Sequence, residues 1–227
     1  MHCKHLGTDA YGFGSVLKFL TDYILDRSPH VNLQTIWEYI LLEPPVSFSY
    51  LKYSMFDNGN KFPNLKGKAH HIRHFGPNLL RACKHFLTEA DLTHRLIMKF
   101  IKASIDMETL LDQHKDAFVL ATEHAETFTK LTYKYLHFLN ALRTEFGDRA
   151  ALFHITPKCH YLVHIALDSL YLNPRLGWCY MGEDFIGKFK MLVASQQVAT
   201  SHMDVENKVA MKYLSGLDFE LRDRVTM

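Results

Sequence analysis

Between Leu110 and Phe146 the chain repeats apolar residues with the period of a helix. Leu110, Leu111, Phe118, Ala121, Ala125, Phe128, Leu131, Tyr135, Leu139, Leu142 and Phe146 follow at mostly three- and four-residue steps until Gly147. Residues so spaced share one face, so the pattern predicts one long amphipathic helix, straight or bent, with a single side on a core. Shorter stretches repeat the signal. Phe13, Val16, Leu17, Leu20, Tyr23 and Ile24 predict a helix over 13–27, stopped at Arg27-Ser28-Pro29. Leu33, Ile36, Trp37, Ile40 and Leu41 predict a second, capped by Asn32 and ended by Pro44-Pro45, since proline lacks the N–H a helix needs. Residues 44–66 read as loop with one short extended piece at 48–53. A helical pattern resumes at Lys66 and is expected to break at Gly76-Pro77, continuing through Leu79, Leu80, Cys83 and Phe86. Thr88 and Asp91 then open a helix carrying Leu92, Leu96, Ile97, Phe100 and Ile101. Further helical stretches are expected at 160–172, 182–198 and 204–214.

No alternation of strands with helices and no repeat of solenoid period occurs, so the fold class is mainly α. The expected divisions are an N-terminal helical segment and loop at 1–64, a helical region at 65–150 and a C-terminal region at 151–227. With 48% hydrophobic and 22% charged residues, disorder is excluded and a packed core expected. The formal charge of +2 is too small for the whole-chain field to select a nucleic acid or a membrane, so any such argument rests on where the charges sit. Cys3, Cys83, Cys159 and Cys179 are far apart without a Cys-x-x-Cys pair, which points to a reducing compartment, nuclear or cytoplasmic. The first ten residues have no apolar core of a signal peptide, and Lys18, Thr21 and Asp22 interrupt the apolar run from Phe13 to Leu25, so no membrane partner is expected.

The charges are segregated. Between Asp57 and Glu89 there is no acidic residue, whereas Lys61, Lys66, Lys68, Arg73, Arg81 and Lys84 are interleaved with His70, His71, His74 and His85. A phosphate-contacting surface has that composition, because each cation brought to a phosphate releases a condensed counterion. A solvated face meeting an acidic face of the same protein has it too. His70 with His74 and His160 with His164 are four apart, a spacing that aligns two imidazoles on one helix face, but neither pair encloses the glutamate of a zinc hydrolase. His154, Cys159 and His164 could combine, as could His2, Cys3 and His5; without finger spacing, imidazoles bonded to backbone or carboxylates are the commoner outcome. Gly12-Phe13-Gly14 lacks a third glycine and a preceding strand, so it is no dinucleotide loop, and Gly14 reads instead as a close packing point. No phosphate loop or serine elbow is present. Asp9, Asp168, Glu183 and Asp184 are carboxylates that magnesium could use, and Glu183 is distinguished by Lys188 and Lys190 further along its expected helix. Stabilisation of that helix's N-terminus accounts equally well for Glu183 and Asp184.

Three stretches together resemble the distal half of CACTA-type cut-and-paste transposases. Met1-His2-Cys3-Lys4-His5-Leu6-Gly7 is similar to that family's Met-His segment. Leu65-Lys66-Gly67-Lys68-Ala69-His70 resembles the start of its helical insertion. Pro157-Lys158-Cys159-His160 through His164, followed by Asn173-Pro174, Trp178 and Glu183, resembles its terminal region. The resemblance implies an RNase H-like core with a helical insertion, an Asp-Asp-Glu magnesium site with Glu183 as its last ligand, and His164 as the signature histidine upstream. It implies DNA as partner, with Lys66, Lys68, Arg73, Arg81, Lys84, Lys188 and Lys190 as the candidate contacts. It also places the two catalytic aspartates ahead of Met1. One carboxylate cannot hold two magnesium ions, so the chain as given is expected not to cut or join DNA unaided, and Mg²⁺ belongs to a complete parent enzyme. A fragment of that kind is expected to self-associate through uncovered apolar surface. The alternative is a helical protein-interaction module with neither nucleic-acid binding nor enzymatic activity.

Overall fold

A computed structural model describes residues 3–57, 59, 62–147, 150–176 and 211. The chain divides into two compact units, Met1–Trp178 and Cys179–Met227. The described residues of the first unit form six α-helices: α1 (Ala10–Phe19), α2 (Pro29–Leu41), α3 (Ala69–Phe86), α4 (Leu92–Gln113), α5 (Thr122–Phe146) and α6 (Lys158–Asp168). Among the described residues there is no β-strand, and no helix is long and apolar enough to cross a membrane.

The chain is already helical at Lys4, well before the expected start at Phe13. A π turn over Lys4–Asp9 leads into α1, and a second over Leu20–Ile24 closes it. Apolar periodicity misses the entry turn because its buried side chains include Lys4, His5, Thr8 and Asp9. The N-cap of α2 is Ser28, in extended conformation ahead of Pro29 at the first helical position. Asn32, expected as that cap, lies inside the helix. Its amide donates to the carbonyls of Thr21 (2.7 Å), Leu25 (3.1 Å) and Arg27 (2.7 Å), satisfying acceptors left over where the preceding run ends.

α3 runs unbroken through Gly76-Pro77, contrary to the expected break. An interior proline costs about 3 kcal/mol. Ile72, Phe75 and Leu79 on either side of it are fully buried, each worth about 1.5–3 kcal/mol, so packing outweighs the local penalty. The long stripe that ends at Phe146 resolves into two helices. α4 stops at Gln113, a turn follows, and α5 starts at Thr122, which leaves Phe118 71% exposed instead of in the core. No glycine or proline marks this break. It is held from a distance by Asn173, whose side chain donates to the carbonyls of His114 and Ala117, both at 2.8 Å, and whose N–H bonds Phe118 O at 2.9 Å.

α4 and α5 lie antiparallel, with Phe100 stacked on Tyr135 at 4.9 Å between centroids. One core collects Phe13, Leu17, Ile36, Phe56, Phe75, Phe100, Phe128, Leu139, Phe153 and Leu162, and so takes residues from both sides of the divisions expected at 64/65 and 150/151. The 44–66 segment joins it through Phe48, Leu51, Phe56 and Leu65, without a strand at 48–53. Gly14 makes the close approach that the sequence suggests: a Cβ there would fall 2.8 Å from Leu65 N, next to the Leu65 N–H to Ala10 O bond of 2.8 Å.

Candidate functional site

The π geometry of the entry turn widens the helix, so residues five apart come onto one side. Lys4 and Asp9 are so placed, and Lys4 Nζ lies 2.7 Å from Asp9 Oδ2. The same ammonium donates to Ser104 Oγ at 2.8 Å and to Glu108 Oε1 at 2.9 Å, both on α4. His5 Nε2 donates to Glu108 Oε1 at 2.8 Å, and Arg73 of α3 donates through Nε to Glu108 Oε2 at 2.9 Å. Ser104 and Tyr135 donate to Asp9 Oδ1 at 3.0 and 2.9 Å. Asp112, one turn beyond Glu108, accepts from Arg73 and Arg175 at the surface end. Three cations, Lys4, Arg73 and Arg175, therefore meet three carboxylates, Asp9, Glu108 and Asp112, in one network joining the entry turn, α3, α4 and α5.

Burial alone would pull the Lys4 pKa down, but attraction to Asp9 and then Glu108 leaves it above the ordinary lysine value. Burial would likewise raise Glu108, but Lys4 and His5 hold it well below the usual carboxylate range. The Tyr135 phenol is pushed well above its ordinary value by burial and by Asp9.

His5, Asp9 and Glu108 offer three metal-capable atoms within 4.8 Å of one another. The cation between these carboxylates is already supplied by the Lys4 ammonium, at ordinary hydrogen-bond distances from both. The donor set therefore fits an internal ion-pair network and does not call for a metal. Asp9, a candidate magnesium ligand in the sequence, has both oxygens engaged by Lys4, Ser104 and Tyr135.

The outer face of α3 is the second candidate. His70, His74, Lys84 and His85 are exposed there, and Lys66 and Lys68 are exposed in the segment that leads into the helix. Two arginines expected to contact phosphate are engaged within the protein. Arg73 has a side chain only 7% exposed and is bound to Glu108 and Asp112. Arg81 pairs with Glu43 and donates to the carbonyls of Ile40 (2.6 Å) and Tyr39 (3.5 Å), closing the C-terminal end of α2. His71 and His74 are held below the ordinary histidine value, first by burial and then by His70 in the one case and Arg73 in the other, so these two add little charge to the face near neutral pH. An open groove of about 650 Å³ runs beside them, lined by Pro44, Pro45, His70, His71, His74 and Arg81 among others.

Glu183, Lys188 and Lys190 lie outside the described residues. His164 is exposed on α6, with its Nε2 2.9 Å from His160 Nε2. His154 is stacked on Phe62 at 4.2 Å and meets Tyr11 edge-on at 5.1 Å, inside an aromatic cluster. Sequence reasoning missed Lys4, Ser104, Glu108 and Tyr135 as partners. The usable signal was in α4, where Ser104 and Glu108 interrupt the stripe of Ile97, Ile101 and Leu111 at positions that should be core. Compared with protein-family models, with curated proteins and with solved structures, the chain has no match.

Proposed function

We propose that this chain is a transposase-derived nucleic-acid-binding protein that tracks the phosphate backbone along α3 and the segment leading into it. The observation that carries the reading is the exposure of Lys66, Lys68 and Lys84 in a stretch with no acidic residue from 58 to 88. Eighteen helical residues span about 27 Å at about 1.5 Å per residue, long enough to meet several successive phosphates. Lys188 and Lys190 extend the proposed contact set, with Glu183 as the ligand Mg²⁺ would use in a complete parent enzyme. The chain alone is not expected to cut strands, since Asp9 is committed to Lys4, Ser104 and Tyr135.

The test is binding to a short DNA duplex as a function of salt. Lys66→Gln, Lys68→Gln and Lys84→Gln together are expected to weaken binding on every sequence and to reduce the log–log salt slope by about 0.9 for each phosphate that is no longer neutralised. An unchanged slope refutes the surface assignment. A second reading, a helical interaction module, is favoured by the exposed Tyr161, Leu167, Leu170, Tyr171 and Leu176 on and just after α6. It predicts no retention on DNA at low salt and concentration-dependent self-association in sedimentation.

A further inference from the structure

We propose that His160 and His164 form a surface chelate for a divalent transition metal of tetragonal preference, Ni²⁺ or Cu²⁺. They are one turn apart on α6, both exposed, with Nε2 atoms 2.9 Å apart and rings perpendicular at 4.4 Å between centroids. Two nitrogens bound cis at about 90° to one ion, each at about 2.0–2.1 Å, are roughly 2.9 Å apart, whereas a tetrahedral ion needs roughly 3.3 Å. The observed separation therefore matches adjacent positions of a square-planar or octahedral ion. Water or a ligand from another molecule takes the open positions.

The pair is held ready by the helix beneath it. Leu162 and Ala166 on the opposite face of α6 are buried, Lys158 Nζ donates to Leu6 O at 3.1 Å, and Thr129 Oγ1 donates to Ala166 O at 2.9 Å. Without metal, one ring donates its Nε2 proton to the other ring's Nε2 lone pair. On binding, that proton moves to Nδ1 of its own ring, and both Nε2 lone pairs face the ion.

Ni²⁺ is the probe, because free thiols reduce Cu²⁺. In calorimetric titration of the full chain with NiCl₂, His160→Asn and His164→Asn should each lose at least as much affinity as the roughly 10- to 100-fold cost of disturbing an outer-shell partner. The long-range imidazole ¹H–¹⁵N signals of these two residues should broaden first. A His70→Asn/His74→Asn variant controls for the other pair of the same spacing and should bind as the parent does. Circular dichroism establishes that each exposed-site variant is folded. Absence of Ni²⁺ binding, or binding unaltered in the His160→Asn/His164→Asn double variant, overturns the proposal. Zn²⁺ binding more tightly than Ni²⁺ overturns the cis-tetragonal geometry.

Discussion

Lys4→Met removes the ammonium from the buried network while keeping much of the stem that packs around it. Asp9 then retains Ser104 and Tyr135 as donors, and Glu108 retains His5 and Arg73, but the cation that joined the two carboxylates is gone. Removing one member of a buried ion pair costs about 3–5 kcal/mol, because a desolvated charge is left uncompensated. That is a large part of the roughly 5–15 kcal/mol stability of a domain. For a urea m-value of about 2 kcal/mol/M, the midpoint should fall by about 2 M.

The pH dependence gives a sharper check. Glu108 has a folded pKa well below its unfolded value, so its contribution is present above the unfolded carboxylate pKa and is lost as pH falls through the folded one. Lys4 has a raised folded pKa, so its contribution is present below the unfolded lysine pKa and is lost as pH rises through the folded one. Both are present near neutrality. Without Lys4 the depression of Glu108 weakens, and protonation relieves the uncompensated charge. The gap between parent and variant should therefore be largest near neutral pH and shrink below about pH 4. Paired urea titrations at neutral and acidic pH measure this. A neutral-pH loss under about 1 kcal/mol, the range of exposed pairs, would refute the reading of a keystone network, as would a gap that stays constant into acid.

Gly14→Ala should destabilise by about 1–3 kcal/mol, since the added methyl meets the Asn64–Leu65 backbone and not a movable side chain; thermal unfolding reads this, and an unchanged Tm contradicts it. Asn32→Ala should cost about 1–3 kcal/mol by leaving the carbonyls of Thr21, Leu25 and Arg27 without their shared donor, and should speed amide exchange at the end of the first helical run. Exchange equal to the parent's there would show that those carbonyls are satisfied otherwise.

The class and most of the helices follow from the order of residues alone. The buried faces of α1, α2, the second half of α3 and α4 are apolar stripes, and an apolar stripe at helical spacing has to be covered whatever its neighbours are. Gly14 was legible for a related reason, since a residue without Cβ in a helix that otherwise buries large side chains marks close approach. Two of the errors, at Pro77 and after Gln113, were decided by packing that the local sequence does not carry. Pro77 stays helical because Ile72, Phe75 and Leu79 are buried around it, and the stripe ending at Phe146 breaks after Gln113 where Asn173 binds the turn carbonyls. The candidate site was the least legible part. Lys4, Asp9 and Glu108 look like surface charges until α4 is laid against the entry turn, roughly a hundred residues away. The same packing turned Arg73 inward to Glu108 and Asp112 and left Lys66 and Lys84 exposed. Charge composition is a property of the chain, but which charges reach solvent is decided by what each can pair with once the helices meet.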